Sequence, residues 1–149
     1  MQVTTANIDG LAIRYRLHEN PGEPWVILTA PWLETIRCWD AQWDRIAEDY
    51  QLLALDLPGL GFSQGRRGVM SPKGQAEFLP RILERFDIDA FHAIAPSITA
   101  PAMIRFAEIE PDRVASLVAI NGVGTAPLHA SSEVGSIIDS KGVRRMVGY

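Results

Sequence analysis

Cysteine, histidine, net charge and long apolar runs are all scarce in this sequence, and each scarcity removes a class of function. The single cysteine, Cys38, excludes an intrachain disulfide framework and any Cys-x-x-Cys metal or redox motif. Fourteen basic residues are interspersed with eighteen acidic ones, for a net charge of −4, so there is no electrostatic footprint for a phosphate backbone and nucleic acid is not expected as a partner. The pairs Arg66-Arg67 and Arg144-Arg145 read as solvated loop charges. No window approaches the roughly 20 apolar residues of a membrane span, and residues 1–6 carry neither a basic stretch nor an apolar stretch of signal-peptide type. The expectation is a soluble, cytoplasmic protein with no membrane partner. Gly59 and Gly61 invite comparison with a phosphate loop, but no Gly-Lys-Ser/Thr and no dinucleotide fingerprint follows, so they are turn residues and no cofactor or metal is expected.

What remains is a chain of 149 residues, 47% of them hydrophobic, enough for one domain with a real core. Residues 3–6 and 11–17 are β-prone and flank Asp9-Gly10, a hairpin signal. The runs at 25–29, 52–55, 91–95 and 114–120 are short and continuously apolar, the pattern of strands buried on both faces of a parallel sheet. Between them lie helical spacings. Trp39, Trp43, Ile46 and Ala47 lead to Tyr50; Ser71-Pro72 opens a helix carrying Phe78, Ile82 and Phe86; residues 99–110 form a third, with Met103 and Phe106 in the core. Pro80 inside the second predicts a kink near Gln75-Ala76 or a late start. After Asn121 the pattern weakens, with a short helix expected from Ser131 to Ile138. Alternating strands and helices predict an α/β, three-layer, mostly parallel sheet of about six strands. Ligands in such sheets bind beyond the C-terminal strand ends, where the loops from Ala30, Asp56, Ala95 and Asn121 gather.

Ser97 stands out at that edge. The segment 93–101 reads Ala-Ile-Ala-Pro-Ser-Ile-Thr-Ala-Pro: an apolar strand stops at a lone serine and a helix follows at once. Two readings fit. One is a nucleophile elbow, which lifts a serine hydroxyl above the sheet; the other is an ordinary helix N-cap.

Several loops, taken in order, resemble the N-terminal half of the α/β-hydrolase superfamily. Ala30-Pro31-Trp32-Leu33-Glu34 stands where that family has its oxyanion loop; Asp56-Leu57-Pro58-Gly59-Leu60-Gly61-Phe62-Ser63 is similar to its D-x-P-G-x-G-x-S loop; Pro111-Asp112-Arg113-Val114 is similar to its H-P-E-R-V turn. Pro96, Pro101 and Ala102 are similar to the elbow of the epoxide-hydrolase and haloalkane-dehalogenase-like group, with serine where those members use aspartate. The resemblance implies a serine-type hydrolase of esters or related small molecules, incomplete as a catalyst in this chain, with a non-catalytic relic or small-molecule binding module as the alternative. Ser97 would be the nucleophile, and the backbone N–H groups of Ile98 and Trp32 the oxyanion donors, since Pro31 has none. A base is harder to find. His92 lies five residues back on the nucleophile's own strand, roughly 16 Å away at about 3.3 Å per residue, and His18 falls at the opposite sheet end. His129 is the candidate that follows Ser97, Asp139 lies in the uncertain tail, and Asp56 is expected to brace its own loop. The resemblance further implies a partial core over residues 1–124, a cap or linker beginning at 125–149, and a sheet cut short after about six strands. Val114–Ile120 would then be an apolar edge, pairing with a second copy or with a complementing C-terminal chain.

Overall fold

The computed structural model describes residues 2–122. The expectations placed on His129, Asp139, Ser131 to Ile138, Arg144-Arg145 and 125–149 lie outside them.

β1 (Thr4–Ile8) and β2 (Leu11–His18) form the expected antiparallel hairpin. Its two-residue turn has Asp9 and Gly10 both at positive φ, 48° and 79°, and Asn7 Oδ1 accepts the Gly10 N–H at 3.0 Å. That is the turn whose twist suits flanking strands. β3 (Trp25–Thr29), β4 (Gln51–Leu55), β5 (Phe91–Pro96) and β6 (Val114–Ile120) join them in one sheet, ordered β1-β2-β4-β3-β5-β6, with β4, β3, β5 and β6 parallel.

The continuous apolar runs are explained by two cores. Ile27, Leu53, Leu55, Ala93 and Ala95 face one side, with α2 (Pro72–Arg85) and α3 (Ala100–Ile109); Val26, Leu28, Leu52 and Ala54 face the other, with α1 (Trp43–Ala47). Strands β3 and β4 are therefore apolar at nearly every position because both faces are covered. β6 departs from the strand buried on both faces that its apolar run suggested, and takes the edge position that the resemblance implied. It lies last in the sheet order and buries Leu117, while Val118 and Ile120 remain exposed.

One helical expectation needs correction, and of the two alternatives raised for Pro80 the late start is excluded. The spacing of Trp39 and Trp43 is met by two short pieces, a single turn at Ile36–Trp39 and then α1, not by one helix. The Trp39 indole N–H donates to the Thr29 carbonyl at 2.9 Å, while Trp43 is buried beneath the Arg16 guanidinium, 3.6 Å from its ring centre. The helix from Pro72 runs uninterrupted to Arg85 with Pro80 inside it, so there is no late start. Ser71 caps it, accepting the Gly74 N–H at 3.1 Å. A mid-helix proline costs roughly 3 kcal/mol, but Phe78, Leu79, Ile82 and Leu83 are all buried. At about 1.5–3 kcal/mol for each such side chain, packing prevails.

Among the described residues no helix is long and apolar enough to cross a membrane.

Candidate functional site

The parallel strands β4, β3, β5 and β6 end side by side, so the loops after Leu55, Thr29, Pro96 and Ile120 share one edge. β5 ends in extended geometry at Pro96, with φ −85° and ψ 147°, and Ser97 follows at φ +54°. One turn, Ser97–Thr99, then leads into α3. The N-cap reading is overturned here. An N-cap residue has extended backbone and its side chain accepts an N–H of the first turn, whereas Ser97 is left-handed and α3 begins after Thr99 with no side-chain cap bond. A non-glycine residue in this region costs of order 1–3 kcal/mol and is kept only where its surroundings dictate it. Ala95 and Ala100 are fully buried on either side, small enough for strand and helix to pass closely.

Two threonines to which the sequence reading gave no supporting role supply part of those surroundings. The Thr29 hydroxyl donates to Thr99 Oγ1 at 2.7 Å, and the Thr99 hydroxyl donates to the Pro96 carbonyl at 2.7 Å. Both side chains are wholly buried. The available signals were slight: a polar residue ending the apolar run of β3, and a β-branched residue two positions after the serine.

Asp56 braces its loop, as expected, and does more. Its carboxylate accepts the Phe62 N–H at 3.1 Å within the loop, the Ile36 N–H at 2.9 Å from the segment after β3, and Arg14 Nη1 at 3.4 Å from β2. Ser63 completes the brace, donating to the Asp56 carbonyl at 2.6 Å while accepting the Arg14 N–H at 2.8 Å. Gly61, at φ +51°, is held to glycine twice over, because a Cβ there would collide with the Asp56 carboxyl. With both carboxylate oxygens occupied in this way, Asp56 serves as scaffold.

Trp32 and Leu33 sit in the turn after β3, whose Glu34 N–H donates to the Pro31 carbonyl at 3.2 Å. Both side chains are exposed, Leu33 at φ +66°. Ile98 is in the turn directly after Ser97.

The two described histidines lie elsewhere. His18 ends β2 beside Leu52, near the start of β4 and so at the far end of the sheet. His92 Nδ1 is 2.7 Å from Ser116 Oγ on β6, and its ring meets Tyr50 edge-on. Cys38 is exposed, yet partial burial, then the Glu34 and Asp56 charges, push its thiol up to about 11. Its thiolate population near neutral pH is correspondingly small. Among the described residues no group of three His, Cys, Asp or Glu is arranged to hold a metal ion.

A cavity of about 420 Å³ lies away from this edge, lined by Arg16, Leu17, His18 and Trp43 among others. Arg16 is buried there, paired with Asp40 at 2.8 Å, and desolvation lowers its pKa although Asp40 and Asp44 oppose the shift.

Comparison with known proteins adds to this geometry. A family model described as "alpha/beta hydrolase fold" matches residues 25–141. The chain is 29% identical over 119 residues to the dihydrolipoyllysine-residue acetyltransferase component of the acetoin cleaving system of Cupriavidus necator, covering 80% of this chain and 32% of that protein. Among solved structures it is similar to Cfl2 from Burkholderia cenocepacia, with a TM-score of 0.75 and 25% identity over 80% of this chain and 41% of that one. Epoxide hydrolase A from Mycobacterium thermoresistibile shares the fold, with a TM-score of 0.70 and 21% identity over 79% of this chain and 38% of that one. The chain thus spans about a third of the curated relative's length and about two-fifths of each solved chain's.

Proposed function

Because the chain belongs to the α/β-hydrolase fold family, we propose that it carries the nucleophile side of a serine-type hydrolase for esters or related small-molecule carbonyl substrates. The observation that carries this reading is the left-handed Ser97 between β5 and α3. A serine serving only to start a helix has no need of that strain, whereas a nucleophile elbow does.

In this reading the Ser97 oxygen attacks the carbonyl carbon as its proton passes to a base. The Ile98 and Trp32 N–H groups hold the oxyanion. The bond to the leaving alcohol then breaks, the alcohol takes the proton from the base, and water releases the acyl group by the same steps in reverse roles. His18 and His92 are held elsewhere, so the base and its carboxylate partner are assigned outside residues 2–122. Within this chain the candidate is His129; a complementing chain is the other source. The single cysteine suits a reducing compartment, and the cytoplasm is taken as the setting.

The engaged histidines favour a second reading, a non-catalytic binding module of the same fold. A fluorophosphonate probe separates the two. Covalent labelling that maps to Ser97 and disappears in Ser97→Ala supports the hydrolase reading. A protein that stays unlabelled but binds small apolar esters in calorimetry supports the module.

A further inference from the structure

We infer that Thr29 and Thr99 form a buried hydroxyl strut that holds Ser97 in its left-handed conformation. The catalytic consequence of the strut rests on the reading of Ser97 as a nucleophile; its conformational consequence does not.

The inference starts from a misfit. Thr99 occupies the second glycine position of G-x-S-x-G, where strand and helix pass closely and a branched side chain is the wrong choice on space alone. The structure gives it a bonded role instead. Its hydroxyl accepts from Thr29 Oγ1 and donates to the Pro96 carbonyl, each at 2.7 Å. Each threonine thus keeps its one hydroxyl proton within the chain, in the order Thr29, Thr99, Pro96 carbonyl, with the Ile94 carbonyl, 3.5 Å from Thr29 Oγ1, as a longer second acceptor. Successive bonds of this kind polarise one another, and both side chains are shut away from competing water.

The end point of that chain matters. Ser97 φ is the rotation about its N–Cα bond, so it fixes Ser97 against the plane of the peptide that begins at the Pro96 carbonyl. A hydrogen bond to that oxygen pins the plane. The other end is anchored too, since the Thr29 carbonyl accepts the Trp39 indole N–H at 2.9 Å. Thr29 also leads within three residues to Trp32, so the strut ties the serine's turn to the segment bearing the second proposed oxyanion donor. Thr29 and Thr99 are positioning residues, touching no substrate themselves.

Valine matches threonine in shape and lacks the hydroxyl, while serine keeps the hydroxyl and loses a methyl. The 149-residue chain is therefore compared as wild type, Thr99→Val, Thr99→Ser and Thr29→Val. The one-bond Cα–Hα coupling of Ser97, measured by NMR, reads the sign of its φ. The expected result is a left-handed Ser97 in the wild type and Thr99→Ser, and its loss in Thr99→Val and Thr29→Val. A left-handed Ser97 retained in both valine variants overturns the strut, and if Thr99→Val does not fold, Thr29→Val decides alone. In the fluorophosphonate assay the labelling rate should fall roughly 10- to 100-fold in Thr99→Val and recover in Thr99→Ser. Wild-type labelling with an unchanged rate in Thr99→Val overturns the positioning role. A wild type unlabelled at Ser97 refutes the hydrolase reading, while the coupling still decides the strut.

Discussion

Replacing Asp56 with alanine removes one carboxylate and strands donors from three parts of the chain. The Ile36 N–H is buried and loses its acceptor, at about 1–3 kcal/mol for an unsatisfied buried donor. The Phe62 N–H is partly buried and finds water more easily, for about 1 kcal/mol. The Arg14 side chain is 15% exposed and 3.4 Å from the carboxylate, so its share is discounted to under about 1 kcal/mol. Together the loss is about 2–5 kcal/mol, a large part of the roughly 5–15 kcal/mol that holds a domain together. Asp56→Asn should lose less, about 2 kcal/mol, since one amide oxygen still accepts while the NH₂ opposes a donor. Urea unfolding at unchanged slope measures both. A cycle with Gly61→Ala sharpens the test: the collision of its Cβ is with the Asp56 carboxyl, so the Asp56→Ala background should relieve at least about 1 kcal/mol of its cost. Losses under about 1 kcal/mol for Asp56→Ala, or strict additivity in the cycle, would refute the brace.

Pro80→Ala should raise stability by about 2 kcal/mol, restoring a helical N–H donor worth roughly 3 kcal/mol less the unfolded-state rigidity that proline supplies; an unchanged urea midpoint counts against it. Cys38, raised from an ordinary 9.0 to about 11, holds about a hundredfold less thiolate at pH 8 than a free thiol. Iodoacetamide should therefore alkylate it correspondingly slowly in the folded chain, with the rate rising steeply only toward pH 11, and ordinary reactivity at pH 8 contradicts that environment.

How much of this was legible depended on how local the cause was. The strands at 25–29 and 52–55 announced themselves because both faces are covered, so nearly every position is apolar. The Asp56 bond to Phe62 could be expected within one loop; those to Ile36 and Arg14 could not, since the partners are 20 and 42 residues away. Ser97 marked a strand-to-helix turn in either reading, because the same neighbours suit an N-cap and a left-handed serine; the sign of φ is set from outside the segment. Trp39 and Trp43 had helical spacing, but the Trp39 indole turns to the Thr29 carbonyl and the helix divides. Val114–Ile120 was located correctly, and its edge position followed from the resemblance; the apolar run alone suggested burial on both faces, because composition does not reveal which strand ends the sheet order.

The strand order carries a consequence for how this protein comes off the ribosome. β3 lies between β4 and β5, and its last residue bonds to Thr99, 70 residues later. At roughly 5–20 residues per second, that partner emerges about 4–14 seconds after Thr29. For most of that interval a strand with four of its five positions buried in the finished fold can pair with β4 alone, its β5 edge open and the Thr29 hydroxyl without its Thr99 partner. Nascent chains held in that window are the vulnerable species, and a holdase or a pause in translation before residue 99 would act there with most effect.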